Sequence, residues 1–347
     1  MNNNVYPWQR NLLRQLISAR AQLPNALLLQ GKDGIGKHRF ASVLSQALLC
    51  DAPMASGEPC GQCTSCGWFM AGGHPDFRLL APEAQDESTE PAGAAADQGK
   101  PADKKASKYI IVAQVRELAD FVNLTTHRNG PRIILIHPAE AMNAQAANAL
   151  LKTLEEPPAG TLFILVSHQP QRLLPTVRSR CRKVNAPSPD RKEAMLWLHE
   201  QGLADAGSFL AQSGYAPLAA LQLSDADHQA KRSQVFAQLA APRAMDPLAL
   251  AEQGEKLGLA WMLQWLQQWV YDLASLGLTG QARYQAEPSP ETVRLAKTVS
   301  LIELFKFQHE LSAAQRTLQH PLNPRLVLEQ LLLSYWQTAN RQESAHV

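Results

Sequence analysis

Apolar side chains recur at helical spacing at Trp8, Leu12, Leu13, Leu16 and Ile17, which predicts a helix over residues 8–20. Ala26 to Leu29 is a short, uninterrupted apolar run that ends in the glycine-rich stretch GKDGIGK. It reads as a buried strand followed by a loop. Phe40 to Cys50 then returns to the helical period, with Val43, Leu44, Ala47 and Leu48 on one face. Further along, Tyr109 to Val112 predicts a strand and Val115 to Val122 a helix. Ile133 to Ile136 predicts a buried strand, Ala141 to Leu154 a helix, Leu162 to Val166 a third buried strand, and Arg182 to Asn185 a last one. Strands that alternate with helices imply a mostly parallel sheet covered on both faces.

The pattern changes in two places. Residues 81–107 contain no Ile, Leu, Val, Phe, Met, Trp or Tyr and are rich in Ala, Pro and charge. Such a stretch has too little apolar surface to offset the entropy of ordering, so it predicts a disordered insertion within the first domain. After Asn185 the sequence APSPDR places two prolines close together and marks a hinge. Beyond it no strand pattern returns. Lys192 to Gln201 and Ala216 to Leu223 predict short helices, and from about residue 229 long amphipathic helices follow. Asn323-Pro324 is a good helix start: a side chain that can cap, then proline at the first helical position. Three domains are expected: an α/β domain over 1–186, a small helical domain over 187–228, and a larger helical domain over 229–347.

Composition narrows this picture only modestly. Apolar residues make up 45% and charged residues 18% of the chain, an ordinary globular balance. A net charge of +2 excludes a protein held on nucleic acid mainly by its overall field. The opening MNNNVYPWQR lacks a basic segment followed by an apolar one, and no apolar run is long enough for a membrane span. A cytoplasmic protein is expected, in which cysteines are thiols or metal ligands.

Four of the five cysteines, Cys50, Cys60, Cys63 and Cys66, fall close together with the spacing C-x9-C-x2-C-x2-C. Two-residue gaps let successive thiolates turn toward one ion, and the longer arm brings in the fourth. Four soft thiolates leave no open position, which predicts one closed, structural Zn2+ site in a module over 50–66. Gly61 and Gly67 would permit the tight turns. A redox pair would leave two of the cysteines unexplained.

The glycine loop fits the phosphate-binding pattern through Gly31, Gly34, Gly36 and Lys37 and then departs from it. The next residue should carry a hydroxyl for Mg2+, but it is His38, a poor ligand for a hard cation. Four apolar residues at Ile133–Ile136 should be followed by Asp-Glu to support the metal and activate water. His137-Pro138 stands there instead, and Glu140 is a weak substitute. No Mg2+ site and no intrinsic ATP hydrolysis are expected; a residual nucleotide contact through Lys37 and the loop N–H groups stays open.

The segment Thr176 to Lys183 concentrates four basic residues around Ser179-Arg180-Cys181. Together with the phosphate-loop remnant, the four-cysteine module and the run Ala147 to Pro158, which includes Glu155, Glu156 and Pro157, this chain resembles clamp-loader subunits of the AAA+ class. The resemblance implies an AAA+ α/β domain of the P-loop NTPase type, a small helical lid and an all-α collar for oligomerisation. It implies that Ser179, Arg180, Cys181, Glu155, Glu156 and Pro157 lie at a subunit interface. Arg180 would reach the γ-phosphate of ATP held by the next subunit. The expected partners are the gamma/tau and delta subunits, with the sliding clamp and primed DNA engaged through the complex.

Within that family, a degenerate loop with a retained arginine and retained cysteines fits a non-hydrolysing stator. An ATP-hydrolysing gamma/tau-type subunit is the alternative; it should keep Ser/Thr after the lysine and Asp-Glu after the strand. It should also carry a lid arginine where this chain has Pro217. A zinc-module nucleic-acid-binding protein acting alone is a third reading. Lys152 and Arg178 are candidates for DNA contact, and Ser167-His168 occupies a strand end where a polar sensor normally sits. Trp261, Trp265 and Trp269 form a stripe at helical spacing, read as packing within the domain or against partners.

Overall fold

Strands β1 (Ala26–Gln30), β2 (Phe77–Leu80), β3 (Arg132–Ile136), β4 (Thr161–Ser167) and β5 (Arg182–Asn185) form one parallel sheet in the order 2-3-4-1-5. The computed structural model describes residues 5–83, 107–123, 130–317 and 323–341. Its chain divides into two compact units, Met1–Asp190 and Arg191–Val347. Most of the predicted insertion, residues 84–106, lies outside the described residues.

The central strands β1, β3 and β4 are the continuous apolar runs, because a parallel sheet covered on both faces hides every side chain of its middle strands. β2 and β5, at the two edges, are largely exposed or half-buried. Helices α1 (Arg10–Ser18) and α2 (Lys37–Leu49) pack on one face through Leu13, Phe40, Val43 and Leu44 against Leu27, Leu29, Ile133 and Ile164. Helices α4 (Val112–Asn123) and α5 (Ala144–Glu155) cover the other face through Val115, Leu118, Leu150 and Leu154, against Leu28, Ile134 and Phe163. Between these come α3 (Thr64–Met70), which follows the cysteine segment, and α6 (Pro175–Arg180), which precedes β5.

Two expectations are corrected. Tyr109–Val112 is not a strand: Ile110 makes one isolated bridge to Met142, and helix α4 begins at Val112. Of these residues only Ile110 is fully buried, at 0% exposure in the core that α4 and α5 share, with Ile110 N donating to Ala141 O and Asn143 N to Ile110 O; Tyr109 is exposed. Gly67 lies inside helix α3, so it makes no turn, whereas Gly61 takes φ 71° and does.

The second unit is helical among its described residues. It runs α7 (Arg191–Glu200), α8 (Ala206–Gln212), α9 (Pro217–Gln222), α10 (Ala226–Ala240), α11 (Pro247–Leu257), α12 (Leu259–Thr279), α13 (Pro290–Thr298), α14 (Leu301–Thr317) and α15 (Pro324–Asn340). Helices α7 to α9 share a small core of Ala194, Leu198, Ala206, Leu210 and Ala220. A separate and larger core joins α10 to α15 and is built around Trp265, Trp269, Phe307 and Tyr335. The tryptophan stripe is therefore split: Trp265 and Trp269 are buried, while Trp261 is 38% exposed and meets the His228 ring edge-on at 4.5 Å. Trp269 Nε1 donates to Tyr335 Oη (2.8 Å), and Tyr335 Oη donates to the carbonyl of Leu239 (2.6 Å), which satisfies both polar tips inside the core. The Asp272 carboxylate accepts from the backbone N–H groups of Arg283 (2.8 Å), Tyr284 (3.0 Å) and Gln285 (2.9 Å), and so fastens the chain that leaves α12. As expected, α15 starts at Asn323-Pro324, where the Asn323 side chain accepts from Arg325 N. Among the described residues, no helix is long and apolar enough to cross a membrane.

Candidate functional site: a histidine-filled phosphate loop, a cysteine cluster and an arginine

The glycine loop lies between β1 and α2, as its sequence predicts. Gly34 and Gly36 adopt left-handed φ of 73° and 86°, a region closed to most side chains. Ile35 points into the core at 0% exposure, and its carbonyl accepts from both Trp8 Nε1 (3.0 Å) and Gln9 Nε2 (2.8 Å). These two donors hold the loop from behind, and nothing in their sequence positions announces it. Lys37 is 2% exposed, and its ammonium donates to the carbonyl of Lys32 inside the same loop. Burial lowers its pKa to about 8, against the opposing pull of Asp33 and Glu140.

Where the magnesium hydroxyl and the two acids would stand, three histidines converge. The rings of His38 and His137 stack with centroids 4.4 Å apart, and His168 meets His137 edge-on at 5.4 Å. Pro138 follows His137 at the end of β3, where no carboxylate is available. Glu140 lies close by: its Oε1 accepts from the backbone N–H of His168 (2.8 Å) and of Gln169 (3.1 Å), so it caps the turn after β4. His168 joins the group because β4 lies directly beside β1, pairing Ser167 with Gln30, and its Nδ1 is 3.1 Å from Asp33 Oδ1. Only the sheet topology brings these positions together; no spacing along the chain would reveal them.

Burial lowers the pKa of all three histidines; His168 adds to this at His38, and His38, His168 and Lys37 add to it at His137, whereas at His168 the nearby Asp33 and Glu140 oppose the shift. For His137 the value falls from 6.5 to about 3. Its folded-state pKa lies below its unfolded one, so between about pH 6.5 and pH 3 the unfolded chain takes up a proton that the folded chain refuses. Stability is therefore full above pH 6.5 and declines as pH falls through that window. Scanning calorimetry from pH 7.5 down to 5 should give a falling midpoint, and His137→Asn should flatten the fall; an equal slope in the variant would show that the acid response lies elsewhere.

The four predicted cysteines come together in space. Cys50 Sγ is 3.5 Å from Cys60 Sγ and 3.8 Å from Cys63 Sγ, Cys60 Sγ is 4.0 Å from Cys66 Sγ, and all four sulfurs lie within 4.8 Å of one another. Tetrahedral zinc with Zn–S of about 2.3 Å needs sulfurs about 3.8 Å apart, so the cluster fits that ion. Backbone N–H groups of Cys60, Cys63 and Cys66 each point at the preceding cluster sulfur at 3.4 Å, which favours thiolates. The N–H groups of Gln62 and Cys63 draw the Cys60 thiol down to about 6, whereas burial pushes Cys50 and Cys66 up. The module is tied to the sheet through a chain of polar groups. Asp76 N donates to His74 Nδ1 (3.0 Å), which leaves His74 Nε2 to donate to Ser65 Oγ (2.9 Å). Ser65 Oγ in turn donates to the carbonyl of Leu49 (2.6 Å).

The basic segment forms α6. Its exposed terminal residue, Arg180, pairs through Nη2 with Glu155 Oε1 and donates from Nη1 to the carbonyl of Thr176 (2.9 Å). Ser179 is also exposed, and its hydroxyl donates to Thr176 O (3.0 Å). Cys181, by contrast, is 7% exposed and packed in the core, where burial pushes its thiol up to about 11. Its side chain is therefore not on the surface that the triplet was expected to present. Glu155 and Glu156 are exposed and Pro157 half-buried at the end of α5. Of the two DNA-contact candidates, Lys152 is exposed, while Arg178 donates from Nη1 to Pro170 O (3.3 Å).

A five-stranded parallel sheet in this order, with a glycine loop after β1 and an all-helical region later in the chain, is an α/β domain of the AAA+ class. The family described as "DNA polymerase III, delta subunit" matches residues 8–190, and that described as "DNA polymerase III, delta subunit, C terminal" matches residues 226–337. The DNA polymerase III subunit delta' of Pseudomonas aeruginosa is 37% identical over 307 residues, covering 86% of this chain and 84% of that protein. The subunit delta' of Yersinia pestis is 31% identical over 351 residues, covering 97% and 96%. That of Escherichia coli is 34% identical over 240 residues, covering 68% and 65%. A solved gamma subunit-related protein of Thermotoga maritima aligns at 18% identity over 95% of this chain and 99% of its own, with a TM-score of 0.44. The chain belongs to the family of DNA polymerase III delta-prime subunits.

Proposed function

We infer that this chain is the non-hydrolysing stator of the clamp loader, and that Arg180 completes the ATP site of a neighbouring ATPase subunit while the sliding clamp is placed on primed DNA. The observation that carries this reading is the contrast between two ends of one domain. The chain's own loop has His38, His137 and Pro138 where metal-binding oxygens and a water-activating acid are required, and Glu140 is engaged by backbone amides. Removing the hydroxyl and both acids leaves no route for charge neutralisation or water activation. Arg180 remains at the surface, and a guanidinium is permanently charged with a fork of N–H donors suited to a phosphate. The gamma/tau and delta subunits are the partners this reading names.

The cysteine cluster holds one structural zinc; its four thiolates fill every tetrahedral position, so the ion would shape the module and take no part in chemistry. Helices α7 to α9, with their own core, serve as the lid, and α10 to α15 as the oligomerisation collar. The purified chain alone should turn over no ATP above a blank, with or without Mg2+. Turnover that Lys37→Ala abolishes would instead favour an ATP-hydrolysing gamma/tau-type subunit.

A further inference from the structure

Arg180 is an ordered cation in this chain. Its Nη1 is fixed on the carbonyl of Thr176, one turn back in its own helix, and its Nη2 on the Glu155 carboxylate, the last residue of α5. The side chains are 33% and 48% exposed, so the pair is open to an approaching surface. Local physics does not favour a carboxylate at position 155. The carbonyl end of a helix carries partial negative charge, and an acid there is unfavourable. The helical propensity of Glu does not require it, since Lys or Gln would serve equally well. What the carboxylate gains at this position is the guanidinium of Arg180.

An arginine side chain loses much of its rotamer freedom when it is ordered. A finger that meets phosphate from a disordered state bears that loss in the catalytic complex; one already held on two sides does not. Two of the five N–H donors are engaged by Thr176 and Glu155, and the remaining ones are available to a phosphate oxygen. We propose that Glu155 is a positioning residue for the arginine finger, holding the guanidinium of Arg180 in the orientation in which it meets the neighbour's triphosphate. This rests on the reading that Arg180 acts in trans.

The test is Glu155→Gln in the complete, reconstituted loader, since glutamine keeps the shape and one oxygen acceptor but removes the charge. Clamp- and DNA-stimulated ATP hydrolysis should fall roughly 3- to 10-fold in kcat, the scale set by one partly exposed ion pair that orders a catalytic group. KM for ATP and assembly, followed by size-exclusion chromatography, should not change. In an Arg180→Ala background the same substitution should add nothing, because the two residues act as one unit. A merely structural role for Glu155 would instead give additive losses and reduced assembly. A wild-type kcat for Glu155→Gln beside a crippled Arg180→Ala would sink the positioning role and leave the finger intact. A raised kcat would mean that Glu155 restrains the arginine, which also overturns the proposal. If Arg180→Ala itself is without effect, the finger reading fails, and the role of Glu155 fails with it.

Discussion

Arg180→Ala should leave the loader assembled and lower its clamp- and DNA-stimulated ATP hydrolysis by about 10³-fold or more per affected site, the range in which arginine fingers act. The size follows from the chemistry. Charge builds on the equatorial oxygens of the transferred phosphoryl group, and a fixed guanidinium in a dry interface neutralises it without reorganisation. The fold should not suffer. Arg180 ends a helix at the surface, and its ion pair with Glu155 is of the exposed kind that contributes about 0–1 kcal/mol. The core contact of this segment comes from Val177 and Cys181, which remain. Lysine should rescue poorly, since it brings charge but not the planar fork. Steady-state turnover measured with clamp and primed DNA, beside a sedimentation check of assembly, decides the matter; unchanged turnover would reduce Arg180 to a surface charge.

Cys63→Ala should release the metal and unfold the module without unfolding the sheet. Between Cys50 and α3 the chain makes turns, and its only buried residues are Gly57 and Pro59. It has almost no core of its own, so a zinc ion worth on the order of 10 kcal/mol is what would order it. Cys63 serves twice, as a sulfur of the cluster and as the residue whose side chain caps α3 by accepting from Cys66 N. Removing it takes away one ligand in four and one cap. Elemental analysis should fall from one zinc per chain to nearly none, and limited proteolysis should open between residues 51 and 63. The sheet strands β1, β3 and β4 should keep their slow amide exchange, because their core is built from residues outside the module. Full zinc content in the variant, or its absence in the wild type, would refute the assignment.

The parts of this molecule that the sequence made legible are those where one physical cause dominates. Ile133–Ile136 and Leu162–Val166 are apolar because both faces of a central parallel strand are covered. The cysteine spacing and the glycine loop are legible because coordination geometry and backbone sterics admit few residue types. Edge strand β2 escaped because Phe77–Leu80 is half open to solvent and carries an arginine in its middle, so it has no pattern to read. Tyr109–Val112 misled for a different reason: only Ile110 is buried in the core, where it makes a single bridge to Met142, while Tyr109 is exposed and Val112 already begins α4. The meeting of Asp33 with His168, and of Glu155 with Arg180, depends on which strands and helices lie side by side. Neither pair has a local signal. Glu140, read as a weak substitute for the missing acids, has one carboxylate oxygen on two backbone amides, a contact that the sheet topology sets and no local pattern signals.

Strand β5 begins two residues after Arg180 and is laced along its length to β1, with Leu27 opposite Arg182 and Gln30 opposite Asn185. Gln30 Nε2 also donates to Asn185 Oδ1 (2.8 Å), and Ala186 N to Gln30 O (2.9 Å). The strand that leads into the glycine loop is therefore paired directly with the strand that follows the arginine. If Arg180 acts in trans, the loop would carry a mechanical duty whatever its own chemistry: a shift of β1 would pass to β5 and move the guanidinium. On that reading the two hydrogen bonds by which Trp8 and Gln9 brace Ile35 would bear on turnover in the next subunit.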